Sequence, residues 1–318
     1  HNLKTIDVQF PLHSLCVVSG VSGSGKTTLV KQVLYNALLK AKSLPTEIVG
    51  GYNAISGDLH LIDQIEMVDQ NPIGKSSRSN PVTYIKAYDA IRDLYSKQAL
   101  SKIRGFLPKH FSFNVDGGRC DTCKGEGEQL VEMQFLADVH LTCEDCGGKR
   151  FKETVLEVQY KGKNIYEVLE MSVDEAIAFF SEEKNIVFAI SPLQEVGLGY
   201  VKLGQSSSTL SGGEAQRVKL ASFLGKGKAS NKMLFIFDEP TTGLHFHDIH
   251  KLLKAFNALI DQGHSLIVVE HNTDIIKVAD WVIDMGPEAG EGGGTVVYAG
   301  VPKGLAKSKA SQTGKYLD

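Results

Sequence analysis

The octapeptide Gly20-Val21-Ser22-Gly23-Ser24-Gly25-Lys26-Thr27 restricts this chain more than any other stretch of it. It fits G-x-x-x-x-G-K-[ST]. It lies between an apolar run, Leu15–Ser19, and a helical pattern through Val30, Val33, Leu34, Ala37 and Leu38. Strand, glycine-rich turn and helix, in that order, form a cradle for phosphate groups. Glycines let backbone N–H groups curl round an anion, and the helix that follows points its positive dipole end at it. Lys26 then reaches the β- and γ-phosphates, and the Thr27 hydroxyl ligates Mg²⁺. The expected phosphate-site residues are Gly20, Ser22, Gly23, Ser24, Gly25, Lys26, Thr27 and Thr28. A short apolar run such as Leu15–Ser19 is the kind buried on both faces of a parallel sheet.

The second half of that chemistry stands at Phe235-Ile236-Phe237-Asp238-Glu239-Pro240. An apolar strand ending in two acids delivers them to the carboxyl edge of the sheet, beside the phosphate loop. Asp238 is expected to hold Mg²⁺ through water, and Glu239 to polarise the attacking water. Leu210-Ser211-Gly212-Gly213-Glu214-Ala215-Gln216 opens a helix over Glu214–Leu224, whose N-terminus is another anion site. It matches the LSGG signature of the ABC ATPase superfamily, which makes Ser211, Gly212, Gly213 and Glu214 expected ATP contacts.

That superfamily resemblance implies three further assignments. His271, directly after a strand over Ser265–Glu270, stands at the switch-histidine position, and Gln70, after Leu61–Asp69, at the Q-loop. The catalytic set is then Glu239, His271 and Gln70, and the Mg²⁺ set is Thr27, Gln70 and Asp238. In ABC ATPases the signature of one module covers the phosphate loop of another. A chain with one of each is expected to need a homodimer or a second ATPase module to complete a site.

Four of the five cysteines form Cys120-Asp-Thr-Cys123 and Cys143-Glu-Asp-Cys146, nineteen residues apart. This is zinc-ribbon spacing. Each CxxC turn presents two thiolates to one tetrahedral ion, at about 2.3 Å per sulfur, and a hairpin returns the second pair to the first. Cys120, Cys123, Cys143 and Cys146 are the expected Zn²⁺ ligands, in a closed, structural site. Iron suits the same thiolates, and disulfides compete less well in a cytosolic ATPase. Cys16, inside Leu15-Cys16-Val17-Val18, reads as a core residue.

Glu132, Gln134 and their apolar neighbours Val131, Met133 and Phe135 alternate as in a half-buried strand, and Val139 and Leu141 return toward Cys143. Thr154–Tyr160 alternates again, and Ser172 is placed to cap a helix through Ala176, Ile177 and Phe180. Met233–Phe237 and Ser265–Val269 read as buried strands flanking an amphipathic helix, His250–Ile260. Trp281–Asp284 and Thr295–Ala299 read as a closing pair around Gly290–Gly294. Strands alternating with helices indicate an α/β fold with a largely parallel sheet. The expected division is an ATP-binding domain over 1–74 and 205–318. An insertion domain over 75–204 interrupts it and carries the zinc module at about 117–152.

Composition, 42% hydrophobic and 22% charged, is that of a globular domain, and no apolar run approaches the ~18–20 residues of a membrane span. Net charge is −3, yet Asn71–Lys124 carries ten Lys/Arg against four Asp, a local +6 that leaves −9 elsewhere. Such a stretch is either a solvated surface or an electrostatic footprint for nucleic acid. The candidate DNA contacts are Lys75, Arg78, Arg104, Lys109, Arg119, Lys149, Arg150 and Lys152.

Assembled in order, these residues resemble the carboxyl-terminal half of UvrA, the ATPase and damage-recognition subunit of bacterial nucleotide excision repair. The resemblance covers essentially all 318 residues. It is carried by Gln70-Asn71-Pro72-Ile73-Gly74-Lys75, Arg78-Ser79-Asn80-Pro81, Phe111-Ser112-Phe113-Asn114 and Gly117-Gly118-Arg119-Cys120. It continues in Leu203-Gly204-Gln205, Asp238-Glu239-Pro240-Thr241-Thr242-Gly243-Leu244-His245, Glu270-His271-Asn272 and Asp284-Met285-Gly286-Pro287. It implies a cytoplasmic dimeric ATPase using ATP, Mg²⁺ and Zn²⁺, which binds damaged duplex DNA and loads a UvrB-type partner, with no membrane role. A start at His1 without Met is expected for a piece of something longer, and the family's amino-terminal half is absent. A UvrA-like paralogue in antibiotic self-protection or another DNA task, a transporter's nucleotide-binding subunit, and an ATP-silent binding module are the competing readings.

Overall fold

Leu15-Cys16-Val17-Val18-Ser19-Gly20 is buried at every position, as a strand enclosed on both faces must be. The computed structural model describes residues 2–47, 50–74, 76, 78–131, 139–225, 231–244 and 246–317. Among these the strands are β1 (Leu15–Gly20), β2 (Gln64–Val68), β3 (Glu128–Val131), β4 (Val139–Thr142) and β5 (Gln159–Tyr160). They continue as β6 (Lys163–Asn164), β7 (Met233–Asp238), β8 (Ser265–Val269), β9 (Trp281–Gly286) and β10 (Thr295–Gly300). The α-helices are α1 (Asn36–Ala41), α2 (Pro81–Tyr84), α3 (Tyr88–Ser96), α4 (Ala99–Arg104), α5 (Glu153–Leu156) and α6 (Ile165–Leu169). After them come α7 (Val173–Phe179), α8 (Lys184–Glu195), α9 (Gly212–Leu224), α10 (Phe246–Asp261), α11 (Thr273–Val278) and α12 (Pro302–Leu305).

The chain packs as two units, His1–Gln70 with Lys226–Asp318, and Asn71–Gly225. The first holds a six-stranded sheet of order β10-β9-β1-β8-β7-β2. β1 runs parallel to β8 and β9, β7 parallel to β8 and β2, and β10 closes the edge antiparallel to β9. The α/β, largely parallel sheet expected from the alternating pattern is the observed one. The register sets Val18 opposite Val269, Gly20 opposite Met285 and Asp238 opposite Val269. The ends of β1, β7, β8 and β9 therefore share one edge of the sheet.

One face of this sheet packs Cys16, Val18, Ile236, Ile267 and Ile283 against Leu29, Val30 and Leu38. On β7, Phe237 meets Phe256 of α10 at 4.8 Å between ring centroids. Cys16 is fully buried, and burial pushes its thiol far above the ordinary range, so it acts as a small apolar residue. The helix expected after the phosphate loop is present, but its first turns, Thr28–Tyr35, are wound as a π-helix before α1 continues.

The second unit is built on rings. Tyr88, Tyr95, Phe111, Phe113 and Phe151 are buried together, with Tyr88–Phe113, Tyr95–Phe111 and Phe113–Phe151 centroids 5.2, 5.7 and 6.2 Å apart. The Tyr88 hydroxyl donates to Phe111 O at 2.7 Å and the Tyr95 hydroxyl to Lys163 O at 2.6 Å, so the buried phenols stay hydrogen-bonded. Ser172 caps α7 as expected: its Oγ accepts the Glu175 N–H at 3.2 Å, and Glu175 Oε2 accepts the Ser172 N–H at 2.8 Å.

One expectation needs correction. Thr154–Tyr160 is not one strand, because residues 153–156 form α5 and only 159–160 join β6. The buried side chains there are Val155 and Val158, three apart, which is the helical interval. Within the Asn71–Gly225 unit, α9 packs against α8 and α2. The hairpin is seen as β3 paired antiparallel with β4, Val131 opposite Val139 and Gln129 opposite Leu141. The alternation expected at Glu132, Met133, Gln134 and Phe135, and the Leu136–Asp138 turn, lie outside the described residues.

Phe237→Ala removes a fully buried ring that α10 cannot move to replace. We expect a loss of about 3–5 kcal/mol from the sheet unit, read as a lower denaturant midpoint. A midpoint unchanged from wild type contradicts this packing.

Candidate functional site

β1 ends at Gly20, where φ is +129° and an added Cβ would lie 2.0 Å from Met285 O. Only glycine fits, and the chain is free to turn into the loop. The loop is braced from outside: Gly290 N–H donates to Gly23 O at 3.1 Å and Gly294 N–H to Ser24 O at 3.0 Å. Asn2 Nδ2 bridges Gly23 O at 2.8 Å and Gly290 O at 3.2 Å. The Gly290–Gly294 segment, which sequence reasoning treated as a connector, is thus a support for the phosphate loop.

Lys26 Nζ donates to Gly20 O at 3.1 Å and Val21 O at 2.9 Å. Burial holds its pKa below the ordinary lysine value, against the opposite pull of Glu239, Asp284 and Asp238. Ser22, Gly23 and Thr27 are exposed, whereas Ser24 Oγ is buried with no hydrogen-bond partner. Asp238 at the end of β7 is half-buried. Burial, then Glu239 beside it, raises its pKa above the ordinary aspartate value, while Lys31 and Lys26 oppose. A divalent cation next to it would reverse that preference.

Glu239 adopts φ +46°, which is uncommon for a residue with a side chain. Backbone outliers of this kind gather at functional sites. Its N–H still bonds Val269 O at 2.9 Å, its carbonyl accepts Gln70 Nε2 at 3.3 Å, and its Oε1 lies 3.5 Å from His271 Nε2. Gln70, Glu239 and His271, which stand far apart in the chain, are therefore neighbours. Glu270 stands in the Glu270-His271-Asn272 motif, but sequence reasoning assigned it no role in the site. It is 2% exposed and accepts from Thr241 N–H and Oγ1 and from the His271 and Asn272 N–H groups. The signal available was an acid at the end of an otherwise apolar strand. Asp284, named in the Asp284-Met285-Gly286-Pro287 motif without a role, is buried and accepts the hydroxyls of Ser19, Ser311 and Thr313.

In the second unit Ser211 caps α9. Its Oγ accepts the Glu214 N–H at 3.2 Å, and Glu214 Oε2 accepts the Ser211 N–H at 2.8 Å. Gly212 and Gly213 form the first turn, where N–H groups lack partners along the helix. The Tyr200 hydroxyl donates to Glu214 Oε1 at 2.7 Å, a contact no motif announced.

The sulfurs of Cys120, Cys123, Cys143 and Cys146 all lie within 4.8 Å of one another. Cys120 and Cys143 sulfurs are 3.9 Å apart, and Cys123 and Cys146 sulfurs 3.7 Å. A tetrahedral ion at about 2.3 Å from each sulfur sets them about 3.8 Å apart, so the donor set fits Zn²⁺. Gly127 N–H points at Cys123 Sγ from 3.2 Å. Burial pushes the Cys123 and Cys146 thiols up, the latter to about 12, a preference that a bound cation overturns by taking the thiolates. Cys120 N–H donates to Arg150 O and Cys143 N–H to Gly127 O, both at 2.9 Å, which locks the two knuckles to each other.

The candidate DNA contacts divide. Lys75 lies outside the described residues. Arg78 pairs with Glu126 at 3.5 Å, Arg119 with Asp116 at 2.7 Å and Lys152 with Asp121 at 2.8 Å, and Arg104 pairs with Glu157. The Arg150 guanidinium lies 5.7 Å from the Phe113 ring centroid. Lys109 and Lys149 are exposed. Like charges in sequence are thus partly consumed by acids that the fold brings up.

No family model matches the chain. Over 317 of its 318 residues it is 50% identical to UvrABC system protein A of Clostridium perfringens and covers 34% of that protein. It is 51% identical over the same length to UvrABC system protein A of Streptomyces avermitilis, covering 31%. Along its whole length the chain is similar to part of UvrABC system protein A. The crystal structure of UvrA2 from Deinococcus radiodurans matches with a TM-score of 0.89 and 46% identity, over 99% of this chain and 38% of that one. The resemblance to UvrA read from the motifs stands, as does the α/β fold with its largely parallel sheet. The chain spans about a third of the length of the curated relatives it matches. Among the described residues no helix is long and apolar enough to cross a membrane.

Cys143→Ser leaves three thiolates where four are needed. We expect the bound zinc to fall well below one equivalent by elemental analysis, and the Asn71–Gly225 unit to unfold several degrees earlier. Full zinc content in the variant removes Cys143 from the ligand set.

Proposed function

We propose that this chain is the ATPase module of a UvrA-type protein that recognises damaged DNA in nucleotide excision repair and acts from the cytoplasm. The observation that supports this most directly is the cluster of Glu239, His271 and Gln70 beside Asp238 and the Lys26 loop on one sheet edge. In this reading ATP lies along Gly20–Thr28 with Lys26 on its phosphates. Thr27, Gln70 and Asp238 would hold Mg²⁺, which would supply neutralisation of the phosphate charge. Glu239 takes a proton from the attacking water, and His271 holds the γ-phosphate side. Ser211, Gly212, Gly213 and Glu214 serve the phosphates of a second module in a homodimer or a paired ATPase half.

The four cysteines hold a structural Zn²⁺ that fixes the β3–β4 hairpin, and the surrounding cations meet DNA phosphates. A UvrB-type protein is the partner of the complete assembly. Shape and deformability, rather than base edges, would distinguish a lesion. Of the cations, Lys109 and Lys149 carry the phosphate role in this reading, because Arg104, Arg119 and Lys152 already serve acids.

In the complete protein, Glu239→Gln is expected to lower ATP hydrolysis by about 10²–10⁴-fold while ATP still binds. Damaged duplex should change the wild-type rate more than intact duplex does. A Glu239→Gln protein that hydrolyses ATP normally sinks the assignment. Duplex affinity should fall steeply with salt. The double variant Lys109→Ala/Lys149→Ala should flatten the slope of log K against log salt by about 2, from roughly 0.9 per phosphate contact. An unchanged slope takes both lysines off the DNA.

A further inference from the structure

Glu270 follows β8 directly, is 2% exposed, and donates its own N–H to Val18 O at 3.1 Å. Both carboxylate oxygens are fully engaged. Oε1 accepts the Thr241 N–H at 2.9 Å and the Thr241 hydroxyl at 2.6 Å. Oε2 accepts the His271 N–H at 2.8 Å and the Asn272 N–H at 2.9 Å. A carboxylate removed from water needs such donors, and bonds to an ionised acceptor are about twice as strong as neutral ones.

The donors come from two different loops. Thr241 is two residues beyond Glu239, and Thr242 N–H bonds back to Glu239 O at 3.1 Å, so the turn is one tight unit. His271 and Asn272 open the loop after β8, and the Asn272 side chain caps α11 by accepting from Asp274 N–H at 2.8 Å. Glu239 Oε1 and His271 Nε2 face each other across 3.5 Å. One buried anion thus clamps the backbones that carry both members of that pair.

We propose that Glu270 is a positioning residue for ATP hydrolysis. It sets the distance between Glu239 and His271 by tying the Thr241 turn to the His271–Asn272 loop, and touches neither nucleotide nor water itself. This rests on the hydrolysis reading above. Glutamine has nearly the same shape, but its amide N–H groups face donors, either the Thr241 N–H or the His271 and Asn272 N–H groups. One side of the clamp is then lost. Aspartate is one methylene shorter and cannot span both loops.

The test is steady-state hydrolysis together with binding of a fluorescent ATP analogue, in the complete protein. Glu270→Gln should lower kcat on the order of 10²-fold, as for a misplacement of about 1 Å, with nucleotide affinity within about twofold of wild type. Thr241→Val removes one bond and should lower kcat by about tenfold with the same split. Both variants holding kcat within twofold overturns the proposal. So does a Glu270→Gln protein whose ATP affinity and melting temperature fall in step with kcat, because that is a scaffold defect. If Glu270→Gln fails to fold, Thr241→Val decides, and a wild-type kcat there rejects the clamp. Glu239→Gln runs alongside: if it remains active, the hydrolysis reading fails and not this coupling alone.

Discussion

Parallel pairing of β1 with β8 and β9, and of β7 with β8, is the constraint on which the sheet unit depends. Parallel strands all finish at one edge, so the chain segments that leave β1, β7, β8 and β9 begin side by side. That is how Gly20, Asp238, Glu239, His271 and the brace at Gly290–Gly294 come together from opposite ends of the chain. The pairing is held by side chains enclosed on both faces. Every residue of β1 and β8 is buried. Polar groups at the functional edge are supported by buried anions: Glu270 beneath one loop pair, Asp284 beneath Ser19 and the Ser311–Thr313 segment.

The second unit solves a different problem. Its knuckles expose most of their surface, and the β3–β4 hairpin is exposed at every described position. Such a segment has little apolar area to bury, so a metal bound at the four cysteines would do the work of a core. Four converging sulfurs and the N–H at Gly127 supply that centre. The aromatic cluster around Tyr88, Phe111 and Phe113 anchors the knuckles from below: a Cβ on Gly118 would lie 1.7 Å from His110 O, and one on Gly125 2.1 Å from Phe113 O.

Much of this was legible in the residue order. Short-range rules govern the phosphate loop, the α9 cap, the α7 cap and the CxxC turns, because each is a local backbone conformation selected by glycine, serine or spacing. Pattern failed where two periods coincide. Val155 and Val158 belong to a helical turn, though their neighbourhood alternates like a strand. Charge failed as a guide to function where the partner acid is remote in sequence. Arg104 with Glu157 is such a case, and a local count cannot see it.

By itself, then, the sequence determined which local motifs are present: a G-x-x-x-x-G-K-T loop after a strand, two acids at a strand end, an LSGG helix and four thiols at metal spacing. Each of these is encoded within a few consecutive residues. Only the tertiary structure decided which distant groups share a site. Asn2 on the Gly23 carbonyl, Gln70 on Glu239 and Glu270 across two loops depend on strand order and register, which emerge from the burial of the whole sheet. No window of adjacent residues contains that information, because register is chosen by contacts between segments and not within them.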